Sequence, residues 1–372
     1  MVSNIKKKLN GNVAIVCLYT ALPTWHGAAD ISRLMFRYLP FKKKHLFQFV
    51  DSNKLEKYKG VTNLNIHYNS PIFKLLFLFL LIFKLIKFFK NKKKKIIIIE
   101  GASWCLFSYI IIKCLKIFIK NIKIIYHSHN VEYEVRKLKN SKFILYLTKI
   151  FEKKVLQLSN ISTAVSILDK KLFKKLYNID VIILANGIEK VNLKNFNSKL
   201  KLPKKFIFFP GSYTYYPNKI AIDEIMNFHL KFFIKKFPDY YFIFSGEGLP
   251  LKYSKNEAVK YFGILGEKDY FHVLNKCDLV FMPLKNAPGT KLKTLQSLAM
   301  RRTILSTKYA FKGISINKQS NIFIYKNKKE VIKLLSYIIT NKKKIKVKDN
   351  VNIKKLYFEN IIKDFANKHL HG

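Results

Sequence analysis

Apolar residues gather in short continuous runs, and the stretches between the runs carry them at helical spacing. Runs at 13–18, 96–99, 122–126, 161–165 and 181–184 are followed by a second series at 206–209, 241–244, 279–282 and 303–305. A strand with one wet face alternates apolar and polar residues. A strand covered on both faces does not, so these runs predict buried parallel strands. After the first run, Ile31, Leu34, Met35, Tyr38 and Leu39 fall on one face of a helix. Strand–helix–strand repetition predicts doubly wound α/β domains.

The runs divide into two similar halves. Residues 190–205 are polar, include Pro203 and show no period, which reads as an interdomain linker. The expected architecture is two Rossmann-like domains, 1–190 and 203–349, facing each other across a cleft, with ligands at the C-terminal ends of the strands. The tail from about 350 to 372 reads as a helix with Ile353, Leu356, Tyr357 and Ile361 on one face, and is expected to pack back on the first domain.

Length and composition agree with this. A chain of 372 residues suits two domains of roughly 150–200 each, and 49% hydrophobic residues supply two cores. Charge changes the picture more. Lys and Arg number 70 against 22 Asp and Glu, a formal net charge of +48. Such an excess attracts nucleic acid, acidic lipid or a phosphorylated substrate. The Lys-, Ile-, Asn-, Phe- and Tyr-rich mix is also what an AT-rich genome encodes. Arginine, the better reader of phosphate and guanine, stands only at 33, 37, 136, 301 and 302. The aromatics lie in strand and core runs, not interleaved with basic residues, so no nucleic-acid partner is expected. An anionic membrane surface fits the charge.

Residues 71–89 are rich in Leu, Phe and Ile, but Lys74, Lys84 and Lys87 interrupt them. The unbroken part, 75–83, falls short of the roughly 20 residues a span requires. It reads as a core helix or a basic helix lying on a membrane. Cys17, Cys105, Cys114 and Cys277 form no CxxC pair and read as core residues in a reducing compartment. Residues 1–12 lead straight into a strand, so no signal peptide is expected. The expected location is cytoplasmic, peripheral on the inner face of the membrane.

Candidate chemistry sits where strands end. The first strand runs into a turn with His26 and Gly27, where a small residue at a helix start lets N–H groups approach an anion. The segment YHSHNVEYE places His129 just after a strand, and a neutral imidazole can donate to a hydroxyl and carry protons near pH 7. His127 and His129, one residue apart, are read as unable to share a strand face. With no third ligand evident, no metal site is expected. In FFPGSYTYYPN, Gly211 allows close approach to a diphosphate, and Asn218 reads as the cap of the next helix. Gly246 closes another strand, and Phe262 and Gly263 offer backbone groups to a base edge. After CDLVFMPL, Gly289, Thr290 and Lys291 lead into a helix expected to start at Thr290, whose free N–H groups attract phosphate. A lysine opposes the helix dipole there, which makes sense if an anion shares the site.

Taken in order, YHSHNVEYE, ILANGIEK, FFPGSYTYYPNKIAI and CDLVFMPL…PGTKLKTLQSLAM resemble the GT4 family of retaining glycosyltransferases, over about residues 13–314. The resemblance implies a GT-B fold, a nucleotide-diphosphate sugar as co-substrate, and no essential metal or other cofactor. It places the donor on the second domain and a glycan or lipid-linked acceptor on the first. His129 would lie near the transferred sugar, Gly211 and Ser212 against the diphosphate, and Gly289, Thr290 and Lys291 around the diphosphate and sugar. Gln296 would face the ribose. The family usually has glutamate where Gln296 stands and often another at the place of Pro288. Its basic pair near Gly211 is reduced to Lys219. The implied activity is hexosyl transfer with retention in surface polysaccharide assembly. A non-catalytic membrane- or polyanion-binding protein on the same fold is the alternative that the charge and missing glutamates leave open. A related sugar-nucleotide epimerase would need a set of carboxylates that the sequence does not display.

Overall fold

A computed structural model of the chain describes residues 9–24, 27–50, 56–65, 71–137, 140–190, 198–285, 290–314, 321–345 and 353–370. The chain divides into two compact units, Met1–Glu189 with Tyr357–Gly372, and Lys190–Leu356.

The first unit is built on β1 (Leu9–Cys17), β2 (Phe41–Val50), β3 (Val61–Asn65), β4 (Lys95–Glu100), β5 (Ile122–Ser128), β6 (Ile161–Ala164) and β7 (Ile182–Ile183). They form one parallel sheet in the order β3-β2-β1-β4-β5-β6-β7. The helices are α1 (Gly27–Tyr38), α2 (Pro71–Phe89), α3 (Cys105–Phe118), α4 (Glu132–Arg136), α5 (Lys142–Leu158) and α6 (Ile167–Tyr177). The isoleucine-rich centre of β4 and the end of β1 are buried, as expected of strands covered on both faces. Strands β2 and β3 are additions to the pattern read from the sequence. In strand β2 Phe41 and the last five residues are buried, with exposed Lys42 and Lys43 near its start. Strand β3 pairs only with Leu46–Val50, so the first half of β2 is an open sheet edge and needs no continuous apolar run.

Helix α2 buries Leu78, Leu81, Leu85 and Phe89 but leaves Leu76, Phe79 and Phe83 more than 60% exposed. Among the described residues no helix is long and apolar enough to cross a membrane.

The second unit carries β8 (Phe206–Pro210), β9 (Tyr241–Ser245), β10 (Val259–Tyr261), β11 (Leu279–Met282), β12 (Ile304–Ser306) and β13 (Ile322–Ile324), parallel in the order β10-β9-β8-β11-β12-β13. Its helices are α7 (Tyr216–Glu224), α8 (Leu230–Lys236), α9 (Leu251–Ser254), α10 (Glu267–Lys276), α11 (Leu292–Ala299) and α12 (Lys328–Asn341). A π turn over Ile225–His229 joins α7 to α8. Phe206, Phe208, Phe209, Phe242, Phe244 and Phe281 fill the core. Residues 198–202, read from sequence as linker, pack here: Leu200 and Leu202 lie against the core, and Ser198 Oγ donates to Asp269 Oδ1 at 2.5 Å.

The tail closes the first unit. Tyr357 pairs with Ile188, and α13 (Phe358–His369) packs against α1 with Phe358 and Ile362 fully buried. Its C-terminal carbonyls accept from that unit's lysines, His369 O from Lys123 Nζ at 2.8 Å and Leu370 O from Lys94 Nζ at 3.4 Å.

Candidate functional site

In the second unit the loops after β8, β9 and β10 are stitched together by their own backbones. Gly211 N donates to Ser245 O at 2.8 Å, Tyr213 N to Glu247 O at 2.7 Å, and Gly246 N to Gly263 O at 2.6 Å. Ser212 Oγ accepts from Glu247 N at 3.0 Å, and Phe262 N donates to Phe244 O at 3.1 Å. Gly246, at φ +119°, lies so close beneath the Gly211 loop that a Cβ there would stand 2.4 Å from Ser212 N. Gly211, Ser212, Gly246, Phe262 and Gly263 thus converge at the C-terminal edge of one sheet, where open parallel sheets bind ligands.

A lysine that the sequence reading passed over supports that edge. Lys293 Nζ donates to Pro210 O at 2.9 Å and to Asn218 Oδ1 at 2.7 Å, over the Phe209 ring. A Cβ on Gly211 would lie 2.9 Å from that ammonium. Burial, and then the neighbouring charge of Lys291, lower Lys293 to about 7. A buried lysine against one glycine loop, lowered further by a neighbouring cation, describes a place that an anion would stabilise. Lys291 is only 8% exposed, so it is not a solvated surface lysine. Thr290 Oγ1 is buried with no hydrogen-bond partner among the described residues.

Two local expectations change here. Helix α11 starts at Leu292 with Lys291 as its N-cap, so Thr290 precedes the helix. Asn218 is not a cap. Helix α7 begins at Tyr216, and Asn218 uses both ends of its amide, Nδ2 to Ser212 O at 3.0 Å and Oδ1 to Lys293. Gln296 lies on α11, where its Oε1 accepts from Tyr270 OH at 2.9 Å. Gly289 and His26 lie outside the described residues. A depression lined by Lys201, Lys204, Lys205, Lys260 and Asp239 includes residues before β8 and β9, the strand ends opposite to the glycine turns.

In the first unit the ends of β4 and β5 meet. Glu100 and His127 are register partners, and His129 follows β5. His129 Nε2 lies 2.5 Å from Glu100 Oε2, which also accepts from Ser32 Oγ at 3.0 Å. His127 Nδ1 meets Thr163 Oγ1 at 2.8 Å. Burial works to raise the Glu100 carboxyl, but the two histidines and the Ser32 hydroxyl outweigh it and hold it below its usual range. Burial pushes His127 down to about 4, so near neutrality it is uncharged. Gly27 opens α1 at an exposed position.

The expectation that His127 and His129 cannot share a face is wrong. Residues i and i+2 of a strand project to the same side, and the two ring centroids are 4.9 Å apart. The missing third group is Glu100. Its signal was a lone carboxylate closing the apolar run KIIIIE, an unusual place for a charge unless it is paired. Lys293 had no comparable signal, because one lysine more in a chain of this composition does not stand out.

Comparison of the sequence with protein-family models and with curated proteins finds no match. Solved structures do match. Sucrose-phosphate synthase from Thermosynechococcus elongatus aligns with TM-score 0.75 at 10% identity, over 96% of this chain and 98% of that one. HepE from Anabaena, in complex with UDP-glucose, aligns with TM-score 0.66 at 12% identity, over 96% and 98%. UDP-GlcNAc 2-epimerase from Methanocaldococcus jannaschii aligns with TM-score 0.59 at 13% identity, over 97% and 100%. The fold is therefore α/β of the GT-B type, two doubly wound parallel-sheet domains.

Proposed function

We propose that this protein is a glycosyltransferase of the GT4 type, taking a sugar from a nucleotide-diphosphate donor with retention. The observation that carries this reading is the glycine-loop edge of the second unit with Lys293 beneath it and Lys291 near enough to lower that lysine. Gly211 and Gly246 let the loops after β8 and β9 pack closely at this edge, Gly263 leaves open space beside it, and Lys293, with Lys291 near enough to lower it, supplies charge there. A diphosphate is the ligand that uses both. The solved HepE structure, of the same fold, holds UDP-glucose.

Cleaving the donor bond builds negative charge on the β-phosphate and positive charge on the anomeric carbon. Lys291 and Lys293 would stabilise the leaving diphosphate. Phe262 and Gly263 would border the base, and Gln296 would hydrogen-bond the ribose from the amide that Tyr270 orients. His129, fixed by Glu100, is assigned to the transferred sugar. The first unit would take the acceptor, a glycan or lipid-linked sugar in surface polysaccharide assembly at the cytoplasmic membrane face, and Gly27 would border it. The exposed apolar stripe of α2 and the excess of lysine support contact with an anionic membrane.

Incubating the chain with nucleotide-diphosphate sugars and oligosaccharide or lipid-linked acceptors tests this. Release of nucleoside diphosphate with a product of unchanged anomeric configuration is expected, and Lys291→Ala should cut turnover by at least about a hundredfold. Conversion of the donor into an isomeric nucleotide sugar with no transfer would instead make the chain an epimerase. Near-normal transfer by Lys291→Ala would remove that residue from the mechanism.

A further inference from the structure

Two buried polar atoms at the edge of the first sheet have no hydrogen-bond partner among the described residues, Glu100 Oε1 and His127 Nε2. They stand on adjacent strands in register, and with His129 their residues each offer a donor atom within 4.8 Å of the others. The remaining atoms of Glu100 and His127 are engaged. His127 Nδ1 lies against Thr163 Oγ1, and Glu100 Oε2 takes Ser32 Oγ, which is itself 2.7 Å from Tyr19 OH. Glu100 and His127 are fully buried and His129 is nearly so. A fixed carboxylate and a fixed imidazole, each with an unused atom in the same dry place, leave a gap in the hydrogen-bond accounting.

We propose that Glu100, His127 and His129 bind a divalent transition-metal ion of the zinc type. Two imidazoles and a carboxylate are the donors such an ion takes, and three protein ligands leave a further position for an oxygen from solvent. Magnesium or calcium would call for oxygen ligands alone. The outer contacts suit this role. With Nδ1–H given to Thr163, His127 presents the Nε2 lone pair. Ser32, backed by Tyr19, holds one carboxylate oxygen so that Oε1 stays available. His129 Nε2 exchanges its contact with Glu100 for the ion. The ion clamps the ends of β4 and β5 and sets the orientation of His129. The ion is not assigned to the donor's leaving group; the site shares His129 with the transferase reading, and the zinc test does not depend on that reading.

The test needs no substrate. The full chain is stripped with a chelator, given Zn2+, desalted and analysed for zinc by elemental mass spectrometry, alongside Glu100→Gln and His127→Gln. The parent should keep one zinc per chain and gain thermal midpoint with it. Both variants should retain zinc at least about tenfold more weakly and gain nothing. Should the variants not fold, Co2+ in the parent decides. Intense visible bands of a four- or five-coordinate ion support the site, and the weak spectrum of six-coordinate aqueous cobalt overturns it. A parent that keeps no zinc, or a Glu100→Gln chain that keeps as much as the parent, overturns it as well.

Discussion

At the scale of single residues, the chemistry proposed for the second unit rests on two lysines. Lys293 is held near 7 by burial and by Lys291. A bound diphosphate raises that value again, so binding at pH 8 takes up a proton and affinity falls as pH rises above 7, by up to about tenfold per unit. Calorimetry in buffers of different ionisation enthalpy reads the uptake, and Lys293→Met should abolish it. A second buried group makes a stability prediction. Glu152 accepts from Glu132 N at 2.6 Å, Tyr133 N at 3.2 Å and Tyr177 OH at 2.5 Å, yet burial raises its carboxyl to about 7. Between its unfolded value near 4.3 and 7, the folded chain keeps a proton that the unfolded chain has lost. Its stabilising contribution is therefore full below about 4.3 and is lost as pH rises through 7. Denaturant midpoints measured from pH 4.5 to 7.5 should fall for the parent and fall less for Glu152→Gln. Equal slopes would show that Glu152 does not titrate there.

At the scale of elements, strands covered on both faces were legible and most edge strands were not. The runs that became β1, β4, β5, β8, β9 and β11 are continuous apolar stretches, because both sheet faces are buried there. Strands β2, β3, β10 and β13 escaped notice. The first hides its buried half behind a lysine-rich start, β3 (VTNLN) holds only two apolar residues, and the others are three residues long. The glycine turns were legible as turns, but which glycines touch which was not, since that depends on the strand order β10-β9-β8-β11. The same order that puts Gly246 under Ser212 makes a prediction. Gly246→Ala should cost about 1–3 kcal/mol, because its φ is positive and the atoms in the way are backbone. It should also weaken nucleotide binding, by displacing the Gly211 loop. A stable Gly246→Ala variant with unchanged binding would separate that loop from the ligand.

At the scale of the whole molecule, the proposed membrane contact rests on two features, a net charge of +48 and the exposed apolar residues of α2. Attraction to an anionic surface is long-ranged and screened by salt, whereas insertion of Phe79 and Phe83 is not. Co-sedimentation should therefore show binding to phosphatidylglycerol-containing vesicles that weakens with salt, and weaker binding by a Phe79→Ser, Phe83→Ser double variant at every salt concentration. Equal binding by the parent and the variant would leave charge alone responsible. Fold class was readable from the sequence because it follows from repetition along the chain. The paired carboxylate behind His129 and the lysine beneath Gly211 were not, because each is defined by a neighbour distant in sequence, Ser32 in one case and Asn218 in the other.

The claim on which the account rests is that the second unit's glycine-loop edge binds a diphosphate. Titrating the parent chain by calorimetry with a nucleoside, its monophosphate, its diphosphate and the corresponding diphosphate sugar tests it most directly. The account predicts that affinity rises sharply at the diphosphate and that Lys291→Ala and Lys293→Met each remove most of the gain. Equal affinity for nucleoside and nucleoside diphosphate, or no binding of any of them at millimolar concentration, would contradict it.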